Sequence, residues 1–324
     1  MQTRKLSYFF LASLFFSLLS SATLAAEKYP AKEVQVITNA AAGGFTDISL
    51  RLMTDSLAKN LGVPVIVGNR PGAGGADGTH FLLNSKPDGY NIGCFSAREI
   101  VIAPATIPNY PYKPTDLDRL CKFAESITVI FCKADAPWKN IDELLADAKK
   151  RPKKITYGAS TNSSSYFIMA ALQKASGVSM LYIPLKNVGQ TITRVLGGNL
   201  EIGITSLTPV VGQLAAGTLR GLLLTTPERL DSFPQIPTLK EKGYENIKAF
   251  NLWAGFFAPP RLPKSVRQTL EQALEKSLKD PTVKNKLEKV ETSLDYLPAE
   301  AFTKEIEEAS KQVSLLVGTI KPHK

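Results

Sequence analysis

The sequence predicts an α/β fold of two lobes, each built on a mostly parallel β-sheet flanked by helices. Short apolar runs alternate with amphipathic helical segments along most of the chain, a pattern typical of parallel sheets covered by helices. This alternation starts again after Pro137, which gives two units of similar size. The chain has 324 residues, of which 44% are apolar and 21% charged, and this is enough for two globular domains.

The first 26 residues differ in composition from the rest of the chain. Arg4 and Lys5 give a positively charged start, residues 6–19 are almost wholly apolar, and small residues follow up to Ala26. This order is typical of a secretory signal peptide, and the apolar stretch is shorter than the roughly 20 residues of a transmembrane helix. We therefore expect cleavage after Ala25 or Ala26 and export of a soluble protein. An uncleaved membrane anchor is the alternative.

The positive charge of the chain does not indicate a nucleic-acid partner. Removal of the signal peptide takes away two cations and no acid, which lowers the formal charge from +10 to +8. Much of the lysine lies in residues 263–290, where it alternates with glutamate at helical spacing, as on solvated helix faces. Since no basic patch is interleaved with aromatic residues, we expect no binding of nucleic acid.

The first unit has the order β-α-β-α-β. Its first helix is predicted to end at Gly62, since glycine commonly terminates helices. The predicted elements are strand 33–38, helix 46–62, strand 63–68, helix 74–85 and strand 89–96.

The second unit begins with a capped helix. Asn140, with Glu143 three residues later, resembles a capping box and predicts a helix over residues 141–151. The elements that follow are strand 154–158, helix 164–176, strand 180–184, helix 188–198, strand 200–205, helix 209–217 and strand 219–226.

The C-terminal part is predicted to return to the first lobe. Residues 227–250 are rich in proline and charge and are expected to connect the lobes at the surface, and residues 251–260 predict a strand. Two or three amphipathic helices follow, and without a sheet of their own they are expected to pack on the first lobe. The predicted domains are a signal peptide (1–26), a discontinuous first lobe (27–130 and 251–324) and a second lobe (131–250). Two crossings between lobes predict a hinge with a ligand cleft between the lobes.

The three cysteines leave two interpretations open. Cys121 and Cys132 flank a segment that fits two strands and a turn, so they are candidates for a disulfide across a hairpin, with Cys94 free. The alternative is three buried thiols. Their spacing does not match a zinc site.

The sequence offers no recognisable catalytic set. His80 falls in a predicted helix and His323 near the C-terminus, and no nucleophile elbow, zinc-protease motif or phosphate-binding loop occurs. We therefore expect no enzyme activity, no cofactor and no metal.

Three loops instead suggest an anion site. Residues 39–47 ("NAAAGGFTD"), 69–78 ("NRPGAGGADG") and 158–165 ("GASTNSSS") each follow a strand and open a helix. Backbone N–H groups at a helix start attract anions, and glycine lets a ligand approach the main chain. Asp47 or Thr46 is expected to cap the first helix. The alternative is that these loops are ordinary turns.

Together, these loops resemble those of one family. "TNAAAGGFTD" (38–47), "GNRPGAGG" (68–75) and "PDGY" (87–90) resemble the Bug family, the extracytoplasmic solute-binding proteins of bacterial tripartite tricarboxylate transporters. "YIPLK" (182–186) and "VLGGNLEIGI" (195–204) follow in the family's order, and the resemblance covers essentially the whole mature chain.

The resemblance implies a two-lobed periplasmic-binding-protein fold, or Venus flytrap, with two crossover strands as the hinge. Its lobes close on a small carboxylate, often a di- or tricarboxylate, which backbone amides, hydroxyls and bridging waters hold. The matching ligand-binding positions here are Gly44, Phe45, Thr46, Asp47, Ser96, Ala97, Ser160, Thr161, Asn162 and Thr205.

Several positions depart from the family pattern. The first loop is usually rich in proline before its two glycines, and here it has alanines. Thr205 stands where aspartate is common, which makes an amino-acid ligand less expected. Arg98 stands in a loop that is usually uncharged. It is a candidate clamp for a distal carboxylate, and a surface pair with Glu99 is the alternative.

The expected function is that of a periplasmic solute-binding protein. It would capture a small carboxylate (a di- or tricarboxylate, or an aromatic acid) by hinge closure and deliver it to the membrane subunits of a tripartite tricarboxylate transporter. We expect it to act as a monomer. Two alternatives stay open: a sensory adaptor for a membrane receptor, and a secreted hydrolase that uses the hydroxyls of residues 158–165.

Overall fold

The computed structural model describes residues 29–247 and 252–319, so the predicted signal peptide (1–26) lies outside the described residues. Two β-sheets form the cores of two lobes, as expected. The strands are β1 Val34–Thr38, β2 Val65–Asn69, β3 Asn91–Ser96, β4 Asp118–Ser126, β5 Thr128–Lys133, β6 Thr156–Ser160, β7 Leu181–Leu185, β8 Ile202–Ser206, β9 Leu219–Leu224, β10 Leu252–Ala258 and β11 Thr292–Pro298.

Helices cover both sheets, and most of them lie close to their predicted positions. The helix predicted over residues 164–176 has those bounds in the structure. The helices are α1 Phe45–Leu61, α2 Ala76–Leu83, α3 Ala103–Thr106, α4 Ile141–Lys150, α5 Ser164–Ser176, α6 Val188–Leu196, α7 Val211–Ala215, α8 Lys264–Leu278, α9 Pro281–Glu288 and α10 Ala299–Thr319. No helix within the described part of the chain is both long and apolar enough to cross a membrane.

Parallel pairing is confined to the βαβ part of each sheet. The first sheet has the order β11-β4-β10-β3-β1-β2, and the second has the order β7-β6-β8-β5-β9. β1 pairs in parallel with β2 and β3, and β6 with β7 and β8. The strands next to the crossings, β4, β5 and β10, pair antiparallel with their neighbours. Both sheets are therefore mixed.

The chain crosses between the sheets twice, and hydrogen bonds join the lobes beside the crossings. It leaves the first sheet at Ile127, between β4 and β5, and returns to it at β10. The Oγ1 of Thr208, in the second lobe, lies 2.9 Å from Ser126 Oγ and 2.9 Å from Thr292 Oγ1, both in the first lobe. All three side chains are buried. This chain of hydroxyls marks the hinge region.

The C-terminal helices pack on the first lobe, as predicted. Ser56 of α1 donates to Asp280 Oδ2 at the start of α9 (2.8 Å), and Asn60 donates to Ser277 Oγ of α8 (3.0 Å). Leu57 lies in one buried apolar cluster with residues of α8. The sequence-based prediction missed β11, which pairs antiparallel with β4 at the edge of the first sheet.

The hairpin interpretation of the cysteines is wrong. β4 and β5 belong to different sheets, so Cys121 lies opposite Phe256 in the first sheet and Cys132 lies opposite Ile202 in the second. Cys94, Cys121 and Cys132 are all free and buried. Burial raises the pKa of Cys132 to about 11, which keeps this thiol protonated at neutral pH.

Candidate functional site

A cavity of about 760 Å³ lies between the two lobes. It is bordered by the carboxyl ends of β1, β2 and β3 on one side and of β6, β7 and β8 on the other, where α/β proteins commonly bind ligands. The first lobe contributes residues 39–42, 44–46 and 71–75, Ser96, Arg98, Glu99, Ile107 and Leu252. The second lobe contributes residues 160–165, 184–189, Thr191 and 204–206.

Most of the predicted site residues come together at this cavity, and two do not. Asp47 and Ala97 are buried, and neither lies on the cavity wall. The predicted residues on the wall are Gly44, Phe45, Thr46, Ser96, Arg98, Ser160, Thr161, Asn162 and Thr205.

Asp47 fixes the loop between β1 and α1 rather than capping the helix. The N-cap residue of α1 is Gly44, which has no side chain to bond the first N–H groups, so the expected cap at Asp47 or Thr46 is wrong. The Asp47 carboxylate accepts hydrogen bonds from Gly43 N–H (2.9 Å) and from Asn69 Nδ2 (2.8 Å). The start of α1 therefore faces the cavity without a capping side chain of its own.

The loop after β2 has an unusual backbone. Residues 72–75 all have positive φ, which runs from +44° at Ala73 to +152° at Gly72. The hydroxyls of Tyr110 and Tyr112 are hydrogen-bonded to each other at 2.5 Å, and they lie 3.3 Å from the carbonyl oxygens of Gly74 and Gly75, respectively. Burial raises the pKa of Tyr110 to about 12, so this hydroxyl keeps the proton that it donates. The two tyrosines hold this glycine-rich loop against the cavity.

The loop expected at residues 96–99 is instead the end of β3 and the start of helical turns that run to residue 106. A π-helical turn over Arg98–Ile102 leads directly into α3. The Glu99 carboxylate folds back and accepts hydrogen bonds from Ser96 N–H (3.1 Å) and Ser96 Oγ (2.6 Å). Ser96 lines the cavity, but its hydroxyl proton is already bonded to Glu99.

Arg98 reaches across the cavity from one lobe to the other. Its Nη1 lies 3.4 Å from Glu99 Oε1, and its Nη2 donates to the Thr161 carbonyl of the second lobe at 3.3 Å. Both contacts are long. The buried Nε has no hydrogen-bond partner among residues 29–247 and 252–319. The guanidinium thus has unused donor capacity next to the cavity.

The second lobe presents capped helix starts and hydroxyls. Ser163 caps α5 by accepting from Tyr166 N–H (3.2 Å), and Asn187 caps α6 by accepting from Gln190 N–H (3.0 Å). Thr161 Oγ1 lies 3.2 Å from the Tyr182 hydroxyl, whose pKa is raised by burial. This wall is polar but carries no acid.

Several residues of the wall lie in the predicted anion loops but were not among the individually predicted ligand contacts. Asn39 Oδ1 and Ser164 Oγ are buried there, and the described part of the chain offers neither a hydrogen-bond partner. Buried polar atoms without partners are rare in proteins and indicate polar groups that a ligand or water can satisfy. Asn39 directly follows β1, and Ser164 lies shortly after β6. This position near a strand end is the sequence feature that could have identified both residues as part of the wall. Asn187, directly after β7, was missed although it carried the same signal, while the loop after β2 is one of the three predicted anion loops.

The cavity is suited to binding an anion. Helices α1, α5 and α6 begin at its wall, and each helix start carries a partial positive charge. Hydroxyls and backbone N–H groups supply donors from both lobes. The arrangement therefore offers many hydrogen-bond donors to a negatively charged ligand.

Comparisons with known proteins agree with this geometry. Residues 49–321 match the family model described as "Tripartite tricarboxylate transporter family receptor". A protein from the TAR-I ttuE-ttuC' intergenic region of Agrobacterium vitis is 32% identical over 288 residues, which cover 86% of this chain and 83% of the relative.

Solved structures show the same fold. One described as a periplasmic transporter has a TM-score of 0.86 and 31% identity, and the match covers 90% of this chain and 99% of the other. The periplasmic binding protein BugD has a TM-score of 0.84 and 28% identity, with 90% and 98% covered. These matches confirm the expected two-lobed binding-protein fold.

Proposed function

This chain belongs to the tripartite tricarboxylate transporter receptors, the Bug family, and on that premise we propose that it is a periplasmic solute-binding protein. It captures a small organic carboxylate between its lobes and delivers the acid to the membrane subunits of its transporter. It binds without turnover, and it is exported by the signal peptide of residues 1–26.

One observation carries the proposal: the helix starts of both lobes converge on one cavity that also contains Arg98. Helix starts and a guanidinium both favour negative charge, and carboxylates match the geometry of N–H donors. The predicted site residues on the wall are the proposed ligand contacts. Asp47 and Ala97 are buried off the cavity wall and are not among the proposed contacts.

Closure of the lobes about the two crossings would complete the site. In this proposal the first lobe comprises the residues before the crossing at Ile127 together with 251–324, and the second lobe comprises residues 128–250. The boundary predicted after residue 130 falls inside β5, which belongs to the second sheet. A ligand that contacts both walls binds the closed state better than the open state and so shifts the equilibrium toward closure.

A thermal-shift screen tests the proposal directly. Mono-, di- and tricarboxylates and aromatic acids are added one at a time to the mature protein, with sugars and amines as controls. A binding acid at about 100 times its Kd should add about 2.7 kcal/mol to the free energy of unfolding and raise Tm. If only a sugar or an amine raises Tm, the protein is not a carboxylate receptor.

Arg98 supplies a second test. Replacement by alanine should weaken binding of the acid found in the screen by about 10- to 100-fold, because a hydrogen bond to a charged group contributes about 1.5–3 kcal/mol. Isothermal titration calorimetry measures the change. Arg194→Ala, which removes an exposed cation away from the cavity, is the matched control. Equal affinities of wild type and Arg98→Ala would remove Arg98 from the binding site.

A further inference from the structure

A buried acid lies on the wall of the proposed anion cleft. Glu99 is 5% exposed and lines the cavity. The charged residues on the described wall are Arg98, Glu99 and Lys186, so their formal charges leave an excess of one positive charge. Without Glu99 the excess would be two.

The position of this carboxylate is fixed from three sides. Ser96 holds Oε2 with its N–H and its hydroxyl, and Arg98 approaches Oε1. On the third side Glu99 packs against Gly75. A Cβ atom on that glycine would lie 2.3 Å from Glu99 Cγ, so only glycine leaves room for the acid. Glu99 therefore cannot turn away from the cavity without disturbing the glycine-rich loop.

The negative charge of Glu99 is only partly compensated. Its contact with the Arg98 guanidinium is long, at 3.4 Å, and Arg98 also bonds to the Thr161 carbonyl of the second lobe. Ser96 is neutral. Charges that are buried from water interact more strongly than charges in solvent, so a ligand in the closed cleft would experience the field of Glu99.

We propose that Glu99 weakens the binding of acids with two or three carboxylates relative to analogues with one. This inference rests on the proposed function and narrows it. The first carboxylate is attracted by the helix starts and by Arg98. Each further carboxylate brings another negative charge near Glu99. It adds less binding free energy than the first one, because like charges at close range repel.

A charge series on one carbon skeleton tests the proposal. Propane with one, two or three carboxylates (butanoate, propane-1,3-dicarboxylate and propane-1,2,3-tricarboxylate) is titrated into wild type and Glu99→Gln by calorimetry at neutral pH. Glutamine keeps the size of the side chain and an oxygen that accepts from Ser96. We expect each added carboxylate to increase the affinity less in wild type than in Glu99→Gln. The Kd of the tricarboxylate divided by the Kd of the monocarboxylate should fall about tenfold in Glu99→Gln.

Glu245→Gln is the matched control, because it removes the same charge from an exposed residue that does not line the cavity. It should leave the ratio unchanged. An equal ratio in wild type and Glu99→Gln overturns the inference. If Glu99→Gln does not fold, Glu99→Ala, which also removes the charge, takes its place, and an equal ratio in wild type and in this variant overturns the inference.

The two proposals fail in different ways. Wild type that binds none of the three acids overturns the selection by Glu99, while binding of any other carboxylate in the thermal-shift screen leaves the proposed function in place. Absence of binding by every carboxylate overturns both.

Discussion

Replacing Lys122 by methionine is expected to lower the free energy of unfolding by about 2–4 kcal/mol. Lys122 lies on β4 and is 2% exposed, and its Nζ contacts Glu125 (2.5 Å), Asp295 (2.6 Å) and Glu305 (2.8 Å). Removing one partner of a buried ion pair costs about 3–5 kcal/mol. We expect less here because the three carboxylates are 26–38% exposed and water screens their repulsion.

The effect should depend on pH. Burial works to lower the pKa of Lys122, but hydrogen bonds to Asp295, Glu125 and Glu305 outweigh it and raise this pKa above its ordinary value of 10.5. Titration of the lysine itself therefore removes stability only as pH rises above 10.5 and through its raised pKa. Burial raises the pKa of Glu125 above 4.5 even with the lysine in place. Ionisation of this acid thus costs stability, and the cost disappears as pH falls through its folded pKa.

Urea unfolding at neutral pH and near pH 5 measures the loss of stability in Lys122→Met and its dependence on pH. Without the ammonium the carboxylates should accept protons more readily, so the difference between wild type and Lys122→Met should shrink at the lower pH. Lys304→Met, which breaks the exposed pair with Glu300, is the control and should leave the free energy of unfolding nearly unchanged. A loss in Lys122→Met no larger than in this control would contradict the expectation.

Replacing Gly75 by alanine is expected to damage both stability and ligand binding. Gly75 has φ +97°, which alanine rarely adopts, and its new methyl group would lie 2.3 Å from Glu99 Cγ. Backbone strain of this kind costs about 1–3 kcal/mol. Displacement of Glu99 should also move the glycine-rich loop, so we expect the affinity for the acid to fall at least about tenfold.

Comparison with Gly62→Ala separates the effect of backbone strain from the effect of the clash with Glu99. Gly62 also has positive φ (+75°), but a Cβ atom there would meet nothing within 4 Å. This variant should lose about 1 kcal/mol and keep its affinity. Thermal unfolding and calorimetry on both variants measure the contrast. Equal affinities in Gly75→Ala and Gly62→Ala would show that the contact between Gly75 and Glu99 does not shape the site.

Much of the fold was predictable because the local signals agree with the tertiary structure. Helix α5 has an apolar face and ends before Gly177, which adopts the left-handed conformation typical of helix ends. Segments whose structure depends on distant partners were missed. β11 is half exposed, ends in Pro298 and is stabilised by pairing with β4, which is remote in sequence. The helical turns after Arg98 are almost wholly buried, so they lack an amphipathic period.

The site was predictable as a location but not in its internal bonding. Each of the three predicted loops follows a parallel strand, so it has to lie at the carboxyl end of its sheet. In the structure these ends of the two sheets face the same cavity. No sequence pattern indicated that Ser96 donates its hydroxyl to Glu99, or that Asp47 accepts from Gly43 and turns away from the cavity. These bonds depend on backbone turns that form only when the lobe is packed.

The position of β10 also constrains the order of folding. This strand lies between β3 and β4 in the middle of the first sheet, although the whole second lobe separates it from them in sequence. The second sheet uses only the continuous stretch from β5 to β9, so it can form while the first is still divided into two parts. Until β10 inserts, β3 and β4 expose unpaired edges, which are the usual sites of strand-mediated aggregation. The topology that joins the two lobes by a hinge therefore also makes the first lobe the slow and vulnerable part of the molecule during folding.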